Sequence, residues 1–393
     1  MNLRFSEEEE AFRKELAEFL KREVPPEMQA DYDGLDLTQE QFEFAGAFDR
    51  KLAAKGWLCM HWPKEYGGQA VSITRQLIFN EEMGYRGVPS RASMGINIVG
   101  PAIMLYGSEE QKKRYLSAIA GGEAEWCQGF SEPNSGSDLA SLRTTAVEEG
   151  DYYVINGQKI WSSRAHHASY CWLLARTDSQ APKHKGLTTF AVDMKTPGIT
   201  IRPTVTVLGS THFCEVFFHD VRVPKDTLVG EKNRGWYQAM GTLSFERSGI
   251  GRVSSSRRAL HDLIAYVNEN KRNGIPLSED PIVRQQLAEL QTEIEVARLL
   301  CYRVAWMQSK GQVPSYESSM ARVVGQELSQ KVARVGMKIL GLSGQLTRGT
   351  PGAPVGGNIT RAFLSTISNT IRSGTSEIQR NIIAQRGLEL PRR

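Results

Sequence analysis

Residues 152–163 read YYVINGQKIWSS and carry the strongest strand signal of the chain. Their first four residues are aromatic or β-branched, which favours an extended backbone. Asn156 and Gly157 then supply the two positive-φ positions that a tight type I′ turn requires. The segment therefore predicts a β-hairpin whose second arm runs from Gln158 to Trp161.

Further strand-like runs follow this segment. They are rich in β-branched and aromatic residues, are broken by Gly, Pro and Asp, and cover residues 170–175, 187–193, 199–207 and 214–223. Short strands of this kind predict a small sheet or barrel. Pro224 closes the region, because proline cannot donate to a strand ladder.

Helical periodicity dominates on both sides of this region. Ser6 and Glu9 form a capping-box pattern, and the first helix is expected to end near Val24, before Pro25 and Pro26. Further helices before the strands are predicted over residues 39–55, 75–85, 93–106 and 109–120. After Gly235 the periodic stretches cover residues 236–271, 281–310 and 316–340, and a last helix follows from Thr375 after a Gly/Pro-rich loop over residues 341–358.

The order of these segments predicts a fold that is mainly α with a central β-domain. The boundaries expected are residues 1–122 for an N-terminal α-helical domain, 123–232 for a small β-barrel or sheet domain, and 233–393 for a C-terminal helical bundle. A chain of 393 residues is long enough for more than one hydrophobic core.

Composition excludes several classes of function. The net charge of +4 comes from 48 basic and 44 acidic residues without a basic stripe, so nucleic acid is not an expected partner. No run of about 18 apolar residues occurs, so no membrane span is expected. The first ten residues, MNLRFSEEEE, are acidic and unlike a signal peptide, which predicts a cytoplasmic protein.

The cysteines argue against a disulfide framework and against a metal site. They are odd in number, widely spaced and without a C-x-x-C pair. They are Cys59, Cys127, Cys171, Cys214 and Cys301. We expect them to be small buried hydrophobic residues, and no metal is predicted.

A loop rich in glycine and hydroxyl groups precedes the predicted hairpin. Residues 128–138 read QGFSEPNSGSD, a composition that brings backbone N–H groups against an anion or a flat ring, although a surface turn would look similar. This loop resembles the signature of the acyl-CoA dehydrogenase family. Residues 155–163, residues 215–224 (EVFFHDVRVP) and residues 374–383 (GTSEIQRNII) match further motifs of that family in its order, over essentially the full length.

The resemblance implies a fold with an N-terminal α-domain, a central β-domain and a C-terminal four-helix domain. It also implies FAD as cofactor, an acyl-CoA substrate of fatty-acid metabolism (β-oxidation), an electron-transfer flavoprotein as electron acceptor, and a homotetramer built as a dimer of dimers. The positions implied to bind the cofactor are Gln128, Phe130, Ser131, Ser137, Trp161, Ser163, Thr375, Glu377 and Gln379. Ser137 is also implied to lie near the thioester arm of the substrate. Read by itself, Ser376 with Gln379 predicts a helix cap whose amides suit a phosphate or another polar group.

Desaturation of an acyl thioester removes a proton from Cα and a hydride from Cβ. A carboxylate in a dry pocket suits the first task, and a flavin suits the second. Many members of the family carry the carboxylate directly before the Gly-Thr of the last motif, where this chain has Ser373. A second branch, similar to isovaleryl- and long-chain-type enzymes, carries a Glu-Arg pair on the first helix of the C-terminal domain, which Glu246 and Arg247 match.

The sequence therefore predicts Glu246 as the catalytic base, on a helix with apolar neighbours that raise its pKa. Arg247 matches a family arginine near the substrate. The resemblance implies that the backbone amide at Ser373 helps bind the thioester oxygen, where enolate-like charge develops. An exposed helical acid paired with arginine is the alternative for Glu246.

One family motif is altered in this chain. An arginine that reaches the FAD pyrophosphate of a partner subunit is replaced by Asn270, and Lys271 or Arg272 is the candidate substitute. Pro281 shifts the start of the following helix. The motifs therefore do not decide whether the oligomer is a homo-oligomer or a hetero-oligomer.

Other functions are also compatible with the motifs, and they include other flavoenzymes and a subunit without its own catalytic base. An acyl-CoA oxidase would pass electrons to oxygen, and a flavin monooxygenase or a nitroalkane-oxidising relative is a further possibility. A subunit of a heteromeric acyl-CoA dehydrogenase would leave the base to another chain. Acyl length and branching, including steroid-type acyl groups, are not decided by the motifs.

Overall fold

The computed structural model describes residues 3–34, 36–242 and 248–391, with only the backbone of Thr242. The chain forms two compact units. The helical unit comprises Met1–Gln41, Val71–Pro89 and Arg247–Arg393, and the sheet unit comprises Phe42–Ala70 and Ser90–Glu246. The three predicted domain boundaries stay a prediction.

In chain order the α-helices are α1 (Glu7–Glu23), α2 (Gln39–Ala54), α3 (Ile73–Arg86), α4 (Gly100–Tyr106), α5 (Glu109–Ala120), α6 (Gly235–Thr242), α7 (Ile250–Glu269), α8 (Pro281–Ser309), α9 (Tyr316–Leu340), α10 (Asn358–Ser365) and α11 (Ser376–Ile382). The strands are β1 (Trp126–Gly129), β2 (Thr145–Glu149), β3 (Tyr152–Ser163), β4 (Tyr170–Arg176), β5 (Leu187–Asp193), β6 (Ile199–Thr204), β7 (Phe213–Pro224), β8 (Leu228–Val229), β9 (Lys271–Arg272) and β10 (Ile275–Pro276).

The predicted helical segments are largely confirmed. Helix α1 begins with a reciprocal capping box, in which Ser6 N donates to Glu9 Oε2 at 2.9 Å and Glu9 N donates to Ser6 Oγ at 3.2 Å. The prediction of one continuous helix over 236–271 is wrong, since Gly249 has φ of +67°, outside the helical range, directly before α7. Helix α10 begins at Asn358, the last residue of the predicted loop, and continues through a stretch for which no helix was predicted.

Helices α7, α8 and α9 build the core of the helical unit. Leu263, Leu290, Ile294 and Val304 are buried there. Helix α10 packs close to α9 at Gly336. A Cβ at this position would lie only 2.8 Å from Ile359 Cγ2. A side chain at that position would push the helices apart.

The sheet unit is built on a mixed sheet with strand order β6-β7-β3-β2-β4-β5-β8 and with β1 parallel to β4. The predicted strands are confirmed, but the predicted hairpin is wrong. Strand β3 runs unbroken through Asn156 and Gly157 and pairs antiparallel with β7. The two strands shift register between Ile155 and Gly157, and there the Asn156 side chain makes two hydrogen bonds to Asp220. Asn156 Nδ2 donates to Asp220 Oδ1 at 3.0 Å, and the Asp220 backbone N–H donates to Asn156 Oδ1 at 2.9 Å. Gly157 leaves room for Thr144, whose Oγ1 would lie 2.5 Å from a Cβ.

All five cysteines are buried and unbridged, as predicted. None of the described helices is long and apolar enough to cross a membrane. No cluster of metal-ligating side chains occurs in the part of the chain that the structure describes.

Candidate active site

The loop after β1 is fixed to β3 by a buried lysine. Lys159 is 0% exposed, and its Nζ donates to the Phe130 carbonyl and to Glu132 Oε1, both at 2.9 Å. The same Glu132 carboxylate accepts the backbone N–H groups of Arg143 at 2.7 Å and Thr144 at 2.8 Å. Phe130 and Glu132 are therefore held in place on either side of Ser131.

The ionisation of this pair follows from its surroundings. Burial lowers the pKa of Lys159 to about 8, although the Glu132 carboxylate opposes that shift. The Lys159 ammonium and the hydrogen bonds from Thr144 and Arg143 hold the pKa of Glu132 below its usual value against its burial. A charged pair with satisfied hydrogen bonds can be kept in a desolvated place, whereas a lone charge cannot.

Trp161 occupies an unusual backbone position. Strands β3 and β7 shift register between Lys159 and Ser162, and Trp161 has φ of +61°. A left-handed conformation costs a bulky L-residue about 1–2 kcal/mol and is uncommon outside turns, bulges and functional sites. The indole is 57% exposed and meets Phe213 edge-on, with ring centroids 5.8 Å apart. The bulge thus presents a broad aromatic face outward.

The other predicted cofactor positions of the sheet unit surround this loop and bulge. The Ser131 carbonyl accepts the Ile160 N–H at 2.9 Å, so Ser131 lies beside β3. Gln128 lies on β1, and Ser163 ends β3 two residues after Trp161. Ser137 is exposed at the far end of the loop. The structure therefore brings Phe130 and Ser131 together with the Lys159–Ser163 segment.

In the helical unit, the turn before α11 carries the remaining predicted residues. Ser373 has φ of +55° and Gly374 has φ of +89°, so two successive residues are left-handed. Glycine suits position 374 because a φ of +89° is one that residues with a side chain rarely adopt. Ser373 carries no carboxylate, so this turn itself offers a hydroxyl and backbone groups only.

The predicted cap of α11 needs a correction. Thr375 is the N-cap, and its Oγ1 accepts the Ile378 N–H at 3.1 Å. Ser376 is the first helical residue instead, because Thr375 has the extended φ and ψ that an N-cap needs. The Ser376 hydroxyl is buried and has no hydrogen-bond partner among the described residues.

Of the two other predicted cofactor residues on α11, Glu377 is exposed and Gln379 is buried. Glu377 is in the first turn of α11, where hydrogen bonds from its own backbone and Thr375 lower its pKa. Gln379 is buried one turn later. Glu246 and Arg247 lie outside the described residues, so their predicted roles stay a prediction.

The residues of the altered motif lie between α7 and α8. Asn270 is the C-cap of α7, and Asp280 caps α8 with Pro281 as its first residue. The Arg272 guanidinium donates to the Ile339 carbonyl. Lys271 is exposed on the β9–β10 hairpin, which leaves it the better candidate for a phosphate outside the unit.

Two groups of residues were missed by sequence reasoning. Lys159 and Glu132 form the pair that orders the loop, and the alternation of β3 could have marked Lys159 as inward-facing. Asp33 and Arg372 form an ion pair with 2.5 Å between Oδ1 and Nη2. No local signal relates two residues so far apart in the chain.

Comparison with known proteins now identifies the family. Family models described as the N-terminal, middle and C-terminal domains of acyl-CoA dehydrogenase match residues 6–123, 127–221 and 233–388. Acyl-CoA dehydrogenase IpdE1 of Mycobacterium tuberculosis is 35% identical over 390 residues, with 98% of each chain covered. The chain belongs to the acyl-CoA dehydrogenase family. The predicted family and fold class are thereby confirmed, and so is the prediction of an oxidoreductase that acts on CH–CH bonds.

Two solved structures resemble this acyl-CoA dehydrogenase closely. One, described as the Tcur3481-Tcur3483 steroid ACAD, has a TM-score of 0.91 and 34% identity, with both chains fully covered. The other, the ChsE4-ChsE5 complex from Mycobacterium tuberculosis, has a TM-score of 0.90 and 35% identity, also with both chains fully covered. These similarities concern the fold of the whole chain.

Members of this family generally use FAD, and the residues present fit such a group. The exposed indole of Trp161 offers a flat apolar face. Ser163 lies two residues after it on β3, and Ser131 lies beside β3 through its carbonyl contact with Ile160, so both bring hydroxyl groups to this region. The buried Ser376 hydroxyl, unpartnered in the described part of the chain, is a further polar atom that a ligand can satisfy. Both sets lie in motifs that the sequence assigned to the cofactor.

Proposed function

We propose that this enzyme is an FAD-dependent acyl-CoA dehydrogenase that introduces an α,β double bond into an acyl-CoA thioester. The observation that carries the proposal is Trp161, a bulky residue held left-handed at a β-bulge with its ring exposed. An exposed ring at a strained position adds little to the packing of the protein, whereas a flat cofactor gains an aromatic contact from it. When bound, FAD supplies the acceptor for the hydride from Cβ.

The residues of the chain divide the remaining work. Glu246 takes the proton from Cα, since Ser373 has replaced the carboxylate of the alternative position. The Ser373 backbone N–H donates to the thioester oxygen, which stabilises the negative charge that develops there. Ser137 and Arg247 contact the substrate near the thioester.

The residues proposed to contact the cofactor lie in two segments of the chain. One is the loop and bulge of the sheet unit and the other is the turn before α11, and together they carry polar groups and two aromatic rings. The residues are Gln128, Phe130, Ser131, Ser137, Trp161, Ser163, Thr375, Glu377 and Gln379. Lys271 takes over the phosphate contact that Asn270 cannot make.

We further propose a ring-bearing, steroid-type acyl group as substrate, desaturated at the start of a β-oxidation cycle. Support comes from the steroid ACAD whose structure this chain resembles at 34% identity over its full length. The test is a screen of short, branched, long and steroid-derived acyl-CoAs for anaerobic bleaching of the flavin absorbance. We expect the steroid-derived thioester to bleach fastest, and bleaching by short straight chains alone would contradict this assignment.

A second candidate is a subunit of a heteromeric dehydrogenase. It is favoured by the resemblance to the ChsE4-ChsE5 complex, at 35% identity over the full chain. Size-exclusion chromatography with light scattering on the isolated chain separates the two arrangements. A homotetramer that bleaches with substrate supports the first candidate, and a chain that binds FAD only with a related partner supports the second.

The electron acceptor of the proposed enzyme is an electron-transfer flavoprotein. The alternative is an acyl-CoA oxidase, in which oxygen takes the electrons. Reduced enzyme is therefore mixed with air-saturated buffer or with oxidised electron-transfer flavoprotein under argon. Slow peroxide formation and fast reoxidation by the flavoprotein are expected, and the reverse would identify an oxidase.

A further inference from the structure

The left-handed turn at Ser373 follows an arginine that is held by a buried carboxylate. Arg372 Nη2 lies 2.5 Å from Asp33 Oδ1, and the Asp33 side chain is only 2% exposed. The two residues are separated by 339 positions in the chain. An ion pair of this kind limits the conformations of the Arg372 side chain, because the short carboxylate side chain leaves the guanidinium little freedom.

The same guanidinium is held from a second side. Arg372 Nε donates to Asn369 Oδ1 at 3.0 Å, and Asn369 Nδ2 donates to Ser329 Oγ at 3.0 Å. The Ser329 hydroxyl donates in turn to the Gln326 carbonyl at 2.7 Å. Arg372 is thus fixed both to the N-terminal segment and to the buried face of α9.

Asp33 belongs to an acidic segment whose other members serve a different arginine. Asp31 Oδ2 lies 3.5 Å from Arg361 Nε, and Asp36 is hydrogen-bonded to Arg361 as well. Arg361 lies on α10, whereas Arg372 lies directly before the turn. The carboxylates of this segment therefore hold two arginines, of which only Arg372 adjoins Ser373.

Burial is the main electrostatic effect on Asp33. It raises the pKa of the carboxyl group, Arg372 lowers it, and the Asp31 carboxylate raises it. Arg252 and Asn369 also lower it, so cations and donors face this group from α7 and from the segment that contains Asn369 and Arg372. A buried carboxylate with these partners loses much of its compensation if Arg372 is displaced.

We propose that Asp33 is a positioning residue, which acts through Arg372 to hold the Ser373 N–H where it donates to the thioester oxygen. The inference rests on the proposed function of the Ser373 amide. A left-handed serine, unlike the glycine that follows it, persists only when its surroundings over-determine the backbone. The Asp33–Arg372–Asn369 contacts supply that constraint on the N-terminal side of the turn.

The test compares Asp33→Ala with Asp36→Ala in the FAD-loaded full-length protein. Each substitution removes one carboxylate from the same segment, and only the first touches Arg372. Hydrogen–deuterium exchange of peptides that cover residues 369–379 reports the order of the turn without reference to activity. We expect exchange there to accelerate about tenfold in Asp33→Ala and to stay at the wild-type rate in Asp36→Ala.

Kinetics supply the second measurement. For Asp33→Ala we expect kcat for the best acyl-CoA to fall by about tenfold, with KM changed less than about threefold, since a displaced donor weakens transition-state stabilisation. Arg372→Lys covers the case in which Asp33→Ala fails to fold. Lysine keeps the charge but cannot reach Asp33 and Asn369 together, so the same loss of kcat and the same faster exchange are expected.

Equal exchange rates in the two alanine variants would overturn the inference, as would faster exchange with unchanged kcat. Failure of the proposed function gives a different pattern. In that case no acyl-CoA bleaches even the wild-type flavin, while the exchange experiment still reports whether Asp33 orders the turn.

Discussion

Trp161 and Ser373 adopt nearly the same left-handed backbone, with φ of +61° and +55°, but the structure maintains them in different ways. Trp161 lies within a strand, where the ladder between β3 and β7 continues on both sides of the bulge. Ser373 lies in a turn without a ladder, and the residue before it is fixed by an ion pair with Asp33. Backbone pairing constrains the first position, and distant side chains constrain the second.

The difference predicts how each position responds to mutation. A bulge in a ladder of many hydrogen bonds tolerates the loss of one side chain, because the neighbouring pairs keep the register. A turn that depends on one buried ion pair is more vulnerable, because breaking such a pair leaves an uncompensated charge. The function proposed for Trp161 depends on its ring, whereas that of Ser373 depends only on its backbone.

The largest effect is expected from Glu246→Gln. This variant tests whether Glu246 supplies the catalytic base that the turn at Ser373 lacks. The amide cannot accept the Cα proton, so thioester-dependent bleaching should slow by about 10²–10⁴-fold while FAD stays bound. Stopped-flow absorbance under argon measures the rate. Glu269→Gln, at the exposed end of α7, is the matched control and should bleach at the wild-type rate. Full bleaching by Glu246→Gln would place the base elsewhere.

Trp161→Ala removes the ring from the bulge. FAD affinity should fall by about tenfold, equivalent to about 1.4 kcal/mol and typical of one aromatic contact, while thermal stability changes little because the indole is largely exposed. Fluorescence titration of the apoprotein with FAD measures the affinity. Tyr152→Ala removes an exposed aromatic from the start of the same strand and should leave the affinity unchanged. Equal affinities for both variants would contradict a cofactor contact at Trp161.

Lys159 gives a pH dependence that belongs to the sheet unit alone. Its pKa is lowered to about 8 by burial, from an ordinary value of 10.5 in the unfolded chain. Between these values the unfolded chain binds more protons than the folded one, so the free energy of unfolding contributed by Lys159 rises with pH. The slope is at most about 1.4 kcal/mol per pH unit, and it vanishes below pH 8.

Urea unfolding between pH 7.5 and pH 10.5, a range chosen to span both pKa values, measures this slope. Lys159→Met should lose the rise that the wild type shows, and the exposed Lys195→Met should keep it. A rise of equal size in both variants would mean that another group titrates in this window.

Most of the fold could be predicted because its signals are local. The capping box at Ser6 and the strands from Tyr170 onward depend on neighbours in sequence. The Asn156-Gly157 pair was misleading because its turn propensity is outweighed by the pairing of β3 with β7. The contact there joins Asn156 to Asp220, which lies 64 residues later in the chain. Asp33 and Arg372 gave no signal at all, since each is an ordinary charged residue until the fold brings them together.

Ser373→Gly is expected to have the smallest effect and separates the two regions most directly. Glycine adopts positive φ without the cost that serine bears, but it gains freedom in the unfolded chain, so the free energy of unfolding should change by less than about 1 kcal/mol. The backbone N–H is retained, and kcat should therefore stay within about threefold of wild type, whereas Trp161→Gly should weaken FAD binding as much as Trp161→Ala does. Ser373→Ala removes the hydroxyl while it keeps the backbone strain. If kcat fell more than about tenfold in both Ser373 variants, the hydroxyl rather than the amide would be the group that the substrate needs.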